Sequence, residues 1–136
     1  MNILLANEGQ TKALGYRLVT ETIKPWKTLA LLGDLGSGKT TLVQGVIEAL
    51  GGLGSDVHSP SYVLEHEYVV TDGVVIHRDA WRGDAGEDDS SAPACIRLII
   101  EWPERAQDKY WPTPVLELRL EHHAEGRMAS LADGFL

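Results

Sequence analysis

The sequence predicts an α/β domain built on a mixed β-sheet, and three stretches carry that prediction. The apolar run KTLALL at 27–32 is typical of a buried parallel strand, and a glycine-rich loop leads from it into a helix. SYVLEHEYVV at 61–70 alternates apolar and polar residues, and the turn TDG joins it to the strand VVIHRD at 74–79, as in a hairpin. With 136 residues, the chain is expected to fold as one small domain over 1–136.

Apolar spacing predicts the elements on either side of the glycine-rich loop. NILLA at 2–6 is typical of a short strand, and the next apolar residues predict a helix over 11–23 that stops before Pro25. After the loop, apolar residues again share one helical face, and Gly51 and Gly52 end that helix. The two apolar faces consist of Leu14, Leu18, Val19 and Ile23 in the first helix and of Leu42, Val43, Val46, Ile47 and Leu50 in the second.

The last third of the chain returns to β-structure. After a polar, acidic loop at 83–94, IRLIIEW at 96–102 predicts a buried strand, and the segment 103–111 predicts a short helix that opens with Pro103. VLELRLEHH and RMASLA, separated by AEG, predict a closing antiparallel pair. We therefore expect few helices and a sheet that contains both parallel and antiparallel strands.

The loop at 33–40, GDLGSGKT, fits the phosphate-binding pattern G-x-x-x-x-G-K-[ST] at every specified position. Glycines allow its amide groups to turn inward around a phosphate, and the following helix presents its positive N-terminal end to the anion. Lys39 is expected to neutralise the β- and γ-oxygens, and the Thr40 hydroxyl is expected to bind Mg²⁺. The pattern predicts a bound nucleoside triphosphate with Mg²⁺, leaves the choice between ATP and GTP open, and favours a three-layer sandwich of the P-loop NTPase type. The residues predicted to bind the nucleotide here are Gly33, Asp34, Leu35, Gly36, Ser37, Gly38, Lys39, Thr40 and Thr41.

Two carboxylates stand where strands are expected to end near the phosphate loop. Asp79 closes VVIHRD, as a Walker B aspartate closes its strand, and Glu101 closes the apolar part of IRLIIEW. We predict that each carboxylate binds Mg²⁺ or acts on the attacking water. Lys39, Asp79 and Glu101 are therefore the candidate catalytic residues, and Thr40 joins the two carboxylates as a candidate metal ligand.

A candidate switch segment lies between the phosphate-loop helix and the next strand. Ser59 and Ser61, in the tripeptide SPS, stand where such a segment would meet the γ-phosphate. On composition alone these residues are simply a turn into the strand, so the residues favour the turn and leave the switch role open.

Charge and composition argue against several classes of protein. Twelve Lys and Arg against twenty Asp and Glu give a net charge of −8, so tight binding to DNA or RNA through neutralised phosphates is not expected. No apolar run approaches the roughly 18 residues of a membrane helix, and the first residues lack the pattern of a signal peptide. The single cysteine, Cys95, suits a reducing compartment, and we expect a cytoplasmic location.

Taken together, these motifs resemble the TsaE family, small P-loop ATPases of bacterial tRNA threonylcarbamoyladenosine biosynthesis. The likeness runs in order and spacing through nearly the whole chain. It consists of an early E-x-x-T at Glu8 and Thr11, GDLGSGKTT at 33–41, SPSY at 59–62, HRDAWR at 77–82, EWP at 101–103 and a closing GR at Gly126 and Arg127. The chain departs from the family at Ser61, where threonine is usual, and at 83–95, where an acidic helix is usual.

The resemblance implies roles for individual residues. Thr40 and Glu101 would bind Mg²⁺, and Asp79 would support the metal or the water. Trp102 would help to shape the site or a partner surface. The residues that would lie near the base and sugar are Glu8, Thr11, Gly126 and Arg127.

The resemblance also implies partners and an activity. The nucleotide cycle would reset a complex of TsaB and TsaD, which modifies tRNA next to the anticodon, and the chain would meet tRNA only through that complex. We expect weak Mg²⁺-dependent ATPase activity alone and stimulation by the partners, with Arg82 as the internal candidate for an arginine finger. Two other functions stay open: a P-loop kinase of small molecules, and a nucleotide-binding module without turnover.

Overall fold

A computed structural model describes residues 1–60, 65–81, 95–106 and 111–136 of the chain. Within these ranges, two short 3₁₀ turns, Gly54–Asp56 and Pro103–Arg105, accompany the regular helices and strands. In chain order the helices and strands are β1 (Asn2–Leu5), α1 (Glu8–Thr20), β2 (Thr28–Leu32), α2 (Lys39–Ala49), β3 (Glu65–Val70), β4 (Gly73–Asp79), β5 (Cys95–Glu101), β6 (Val115–His123) and β7 (Gly126–Leu131).

The strands form one seven-stranded sheet in the order β1-β7-β6-β2-β5-β4-β3. β2 lies between β6 and β5 and runs parallel to both, and β4 runs parallel to β5. The pairs β3–β4, β6–β7 and β1–β7 are antiparallel. All five residues of β2 are buried, as expected for a parallel strand covered on both faces. The predicted mixed sheet, hairpin and closing antiparallel pair are confirmed.

The two faces of the sheet are covered unequally. Both α-helices contribute to the larger apolar core, which also contains Leu29 and Leu31 of β2. Because side chains alternate along a strand, Ala30 points to the other face, where it joins a smaller cluster with Ile100 and Ala106. Among the described residues, no helix is long and apolar enough to cross a membrane.

The first helix differs from its predicted bounds at both ends. It begins at Glu8, three residues early, because the Asn7 side chain caps it by accepting a hydrogen bond from the Gln10 N–H at 2.9 Å. It ends at Thr20, and Ile23 lies outside it, 72% exposed. The backbone N–H of Ile23 donates instead to the Phe135 carbonyl at 2.8 Å. The prediction that Ile23 belongs to the apolar face of this helix is wrong.

The predicted helix at 103–111 is a single 3₁₀ turn, Pro103–Arg105, in the part that the structure describes. Ala106 already has an extended backbone, which ends the turn. Residues 107–110 lie outside the described residues, as do the predicted acidic loop at 83–94 and the first residues of the predicted strand at 61–70.

Candidate functional site

The phosphate-loop residues connect the end of β2 to the first turn of α2. Gly33, Gly36 and Gly38 all have positive φ angles, of 153°, 74° and 102°. At Gly38, the left-handed backbone is one that residues with a Cβ rarely adopt. At Gly33, an added Cβ would come within 2.6 Å of the Leu120 carbonyl oxygen. The loop therefore has a tightly curved backbone that depends on glycine at both of its ends.

The N-terminal end of α2 is open to an anion. Its N-cap is Gly38, which brings no side chain to the first turn, and the four residues from Lys39 to Leu42 include no acidic side chain. In contrast, α1 is capped by Asn7 and has Glu8 in its first turn. The first turn of α2 therefore offers its amide groups and positive dipole end without an acidic side chain of its own, and this arrangement fits a bound phosphate.

Lys39 is a buried cation held by three different groups. Its side chain is 6% exposed, and Nζ donates a hydrogen bond to the Gly33 carbonyl at 2.6 Å. Nζ also lies 3.7 Å from Glu101 Oε1 and 4.1 Å from the centre of the Trp102 ring. The ring is brought there by a left-handed backbone at Trp102, whose φ is 57°. These contacts place one positive charge directly beside the phosphate loop.

The two predicted carboxylates stand side by side at the ends of parallel strands. Asp79 ends β4, Glu101 ends β5, and the two residues are paired in register. Both are buried, with 3% and 2% of their surfaces exposed. The structure therefore brings them to the same edge of the sheet, next to the end of β2 from which the phosphate loop departs.

Glu101 is held as an anion by its neighbours. Oε2 forms a hydrogen bond of 2.5 Å with His77 Nε2, and Oε1 faces Lys39. Burial by itself would raise the pKa of Glu101, but the hydrogen bond and electrostatic attraction of His77, together with the Lys39 charge, lower it below its ordinary value. An ionised carboxylate of this kind can bind a cation or accept a hydrogen bond from water.

Asp79 has a different environment from Glu101. Its Oδ1 accepts a hydrogen bond from the Trp81 N–H at 2.6 Å, which fixes the turn that follows β4. Its side chain does not line the cavity described next. Asp79 thus lies beside Glu101 but outside the lining of the cavity, where it can act through neighbouring groups.

A cavity of about 460 Å³ lies in front of the phosphate loop. It brings together residues from the two ends of the chain, the loop, α2 and β5. Of the predicted site residues, those that line it are Glu8, Leu35, Gly36, Gly38, Lys39, Thr40, Thr41, Ser59, Glu101, Gly126 and Arg127. Leu5, Ala6 and Asn7 also line it, and sequence reasoning gave them no role.

Arg127 connects the far side of the cavity to the phosphate loop. Its Nη2 donates to the Gly36 carbonyl at 3.0 Å, and Nη1 donates to the Gly126 carbonyl at 3.0 Å. Gly126 itself packs closely on β1, because an added Cβ would come within 2.1 Å of the Leu5 carbonyl oxygen. The predicted pair at 126–127 therefore borders the same cavity as the loop.

The other predicted residues that the structure describes do not line this cavity. Thr11 is buried behind the loop, where its methyl group would be 3.5 Å from a Cβ at Gly38. Gly33 and Asp34 line a second cavity, of about 340 Å³, together with Trp102. Ser37 is buried, and its Oγ has no hydrogen-bond partner among the described residues. Ser61 and Arg82 fall outside the described residues.

Sequence reasoning gave His77 no role beyond its place in the motif HRDAWR at 77–82, and it did not single out Tyr68. His77 is fully buried and bridges Glu101 and the Tyr68 hydroxyl. A signal for His77 was present in the sequence, because it precedes Asp79 by two residues in a strand and so lies on the same face. Tyr68 gave no comparable signal, since its contact with His77 depends on the register of the hairpin.

The family model and the curated relatives that match this chain all point to the same family. The family model described as "Threonylcarbamoyl adenosine biosynthesis protein TsaE" matches residues 5–129. Proteins named "tRNA threonylcarbamoyladenosine biosynthesis protein TsaE" are similar over most of the chain. The one from Rickettsia felis is 30% identical over 124 residues, which are 88% of this chain and 71% of the relative. The one from Nostoc sp. is 34% identical over 133 residues, 91% and 80% of the two chains.

A third relative and a solved structure extend the comparison. The protein of the same name from Bacillus subtilis is 39% identical over 109 residues, 76% of this chain and 66% of the relative. The crystal structure of YdiB from Bacillus subtilis superposes with a TM-score of 0.71 at 20% identity, covering 96% of this chain and 83% of that one. At that identity the likeness concerns the fold, and it confirms the predicted α/β fold class of the P-loop type.

Proposed function

The chain belongs to the TsaE family of tRNA threonylcarbamoyladenosine biosynthesis, and from this premise we propose that it binds MgATP, hydrolyses it and thereby drives a complex of TsaB and TsaD. In this proposal the complex modifies tRNA next to the anticodon, and the chain meets tRNA only through it. The observation that carries the proposal is the meeting of a glycine loop, Lys39 and Glu101 on one cavity.

The residues at the loop suit a nucleotide triphosphate and its cation. The amides at the start of α2 and the Lys39 ammonium would hold the phosphates, and Thr40 and Glu101 would bind Mg²⁺. When bound, Mg²⁺ neutralises phosphate charge and so lowers the barrier to attack by water. Glu8, Gly126 and Arg127, at the other end of the cavity, would lie near the base and sugar, with Thr11 as support behind the loop.

The chain's own residues supply positioning and charge. His77 and then Lys39 lower the pKa of Glu101, so its carboxylate can hold the cation or orient a water molecule. Asp79 would act from the neighbouring strand, through the turn at Trp81 and through its negative charge. Arg127 already donates to the carbonyls of Gly36 and Gly126. These two bonds engage the Arg127 guanidinium at the loop. A further positive charge supplied by a partner would raise a low basal rate of hydrolysis, which is our reason for proposing stimulation by TsaB–TsaD.

Calorimetry with MgADP and a non-hydrolysable ATP analogue tests the binding step. We expect Lys39→Ala to weaken binding by about 100-fold or more, because it removes the buried charge that faces the phosphates. Lys12→Ala is the matched control, since Lys12 pairs with Glu48 on the surface and does not line the cavity. Equal affinities for the wild-type protein and Lys39→Ala would contradict the nucleotide site.

Product analysis with and without TsaB–TsaD tests the turnover step. We expect ATP to yield ADP and free phosphate slowly, and faster when the complex is present. Transfer of the γ-phosphate to a hydroxyl compound would instead indicate a kinase. Glu101→Ala should abolish turnover while nucleotide still binds, and a wild-type protein that binds ATP without turning it over would indicate a binding module.

A further inference from the structure

A line of buried polar groups leads from Glu101 to the backbone beside Ser59. Glu101 Oε2 contacts His77 Nε2 at 2.5 Å, and His77 Nδ1 contacts the Tyr68 hydroxyl at 3.1 Å. That hydroxyl meets the backbone of His58 twice, at 3.4 Å from its N–H and at 3.2 Å from its carbonyl oxygen. Glu101 and Ser59 line the same cavity, so the line begins and ends at that cavity.

We propose that His77 and Tyr68 are positioning residues that couple the Glu101 carboxylate to the backbone at residues 58–59. The coupling deepens the proposed ATPase function and rests on it. Its consequence is that the acid beside the phosphate loop and the segment carrying Ser59 move together. A change at one side of the cavity, such as cation binding at Glu101, would then shift the backbone that carries Ser59 at the other side.

The hydrogen-bonding capacities of these groups form a directed chain. The His58 N–H can donate to the Tyr68 oxygen, the Tyr68 O–H can donate to His77 Nδ1, and the His77 Nε2–H can donate to Glu101. Each donor in this arrangement has one acceptor, and the imidazole needs only one proton. When the imidazole carries a proton on Nε2 alone, the Tyr68 O–H can turn to the His58 carbonyl only by leaving His77 Nδ1 without a donor. When Nδ1 also carries a proton, that N–H donates to the Tyr68 oxygen and the Tyr68 O–H donates to the His58 carbonyl. The direction of one hydroxyl therefore depends on both ends of the line.

Burial makes each of these contacts matter. His77 is 0% exposed and Tyr68 is 5% exposed, so a lost partner is not replaced by bulk water. The two side chains stand on adjacent strands of the hairpin, with ring centres 5.8 Å apart. His58, in contrast, is exposed and lies in a segment between the 3₁₀ turn at Gly54–Asp56 and β3. The sheet thus offers a rigid support to a segment outside it.

Two conservative variants each interrupt the line of hydrogen bonds between Glu101 and His58. Tyr68→Phe removes only the hydroxyl, and His77→Gln retains a donor for Glu101 while losing the contact with Tyr68. Tyr16→Phe is the matched control, because Tyr16 is a half-exposed tyrosine of α1 outside the cavity. The double variant Tyr68→Phe/His77→Gln completes a cycle that measures coupling between the two residues.

Amide hydrogen exchange at His58 and Ser59 tests the coupling without any need for turnover. We expect exchange about threefold to tenfold faster in Tyr68→Phe, because the bond to the His58 N–H is lost. We expect faster exchange in His77→Gln as well, although His77 does not touch His58, and no change in Tyr16→Phe. Wild-type exchange rates in His77→Gln would overturn the proposal, because a change at His77 would then not reach the His58 backbone through Tyr68.

Turnover and ADP affinity provide the second test. Each single variant should lower kcat by about threefold to tenfold while the ADP dissociation constant stays within about twofold. The double variant should be no slower than the slower single variant. Multiplying effects, or equal losses in kcat and ADP affinity with a lowered Tm, would indicate separate structural roles and overturn the proposal.

These results separate two possible failures. A wild-type protein that does not bind MgADP would contradict the proposed function, while the exchange rates would still decide whether His77 and Tyr68 couple the two sites. A wild-type protein that binds and hydrolyses ATP, with unaltered exchange and turnover in both single variants, would overturn the coupling alone.

Discussion

Burying the Lys39 ammonium removes it from water, and three kinds of group offset that cost. A carbonyl oxygen from Gly33, the carboxylate of Glu101 and the ring of Trp102 all lie against Nζ. None of these contacts alone would replace a hydration shell. Together they hold a positive charge at the phosphate loop before a ligand arrives, which lowers the reorganisation that binding requires.

Also at the residue scale, the substitution Asp79→Asn distinguishes a structural role of this side chain from an electrostatic one. In Asp79→Asn the side-chain oxygen can still accept the Trp81 N–H, so we expect the free energy of unfolding to change by less than about 1 kcal/mol. The negative charge beside Glu101 is lost, and we expect Mg²⁺-dependent ATP turnover to fall about 10- to 100-fold. Asp72→Asn, at the exposed hairpin turn, is the control. Wild-type turnover in Asp79→Asn would show that Asp79 serves only the turn.

Single residues also mark how far the sequence could predict the site. The phosphate loop could be predicted from local chemistry, because its glycine spacing determines the curved backbone and Lys39 supplies the positive charge. Asp79 and Glu101 were expected at one edge of the sheet, and they lie there. Their different surroundings could not be predicted, because the turn at Trp81 and the approach of His77 depend on tertiary packing.

At the scale of elements, α1 and α2 cross with their backbones in contact. A Cβ added at Gly15 would lie 2.0 Å from the Leu42 carbonyl oxygen, and one added at Gly45 would lie 2.0 Å from the Lys12 carbonyl oxygen. Since backbone atoms cannot move aside as side chains do, the two helices would have to separate. The crossing also keeps Thr11 beneath Gly38, so helix packing and loop support are connected.

We therefore expect Gly15→Ala and Gly45→Ala each to lower the free energy of unfolding by about 2–4 kcal/mol, measured by urea unfolding with an unchanged m-value. MgADP affinity should fall as well, because the loop loses its support. Gly9→Ala is the control, since its added Cβ would meet only the Asn7 side chain, at 3.2 Å. Stability within about 0.5 kcal/mol of wild type in both variants would contradict the close crossing.

Elements were predictable where one local signal dominated. KTLALL is apolar at almost every position, and β2 is buried at every position. The helix at 103–111 had Pro103 as a start but no strong apolar face, and only one 3₁₀ turn forms in its described part. Ile23 fitted the helical spacing, yet a hydrogen bond to the distant Phe135 holds its backbone outside the helix. Spacing alone carries no information about such a partner.

At the scale of the whole molecule, the order of the strands explains why the two ends of the chain reach the cavity. β2 is central, so the phosphate loop leaves the middle of the sheet between β5 and β6. β7 folds back on β6 and pairs with β1, which places the pair at 126–127 beside Glu8. The resemblance of short terminal motifs to the family could suggest this closeness, but only the sheet topology accounts for it physically.

The net charge of −8 determines the last prediction, which concerns tRNA. Affinity for nucleic acid comes largely from cations that replace phosphate counterions, and twenty acidic against twelve basic side chains oppose that exchange. We expect the chain alone to bind tRNA with a dissociation constant weaker than about 10⁻⁴ M in low salt, measured by filter binding. With TsaB–TsaD present, the chain should enter a tRNA-containing complex. Micromolar, salt-sensitive binding by the chain alone would instead reveal a local basic surface and would contradict an indirect role toward tRNA.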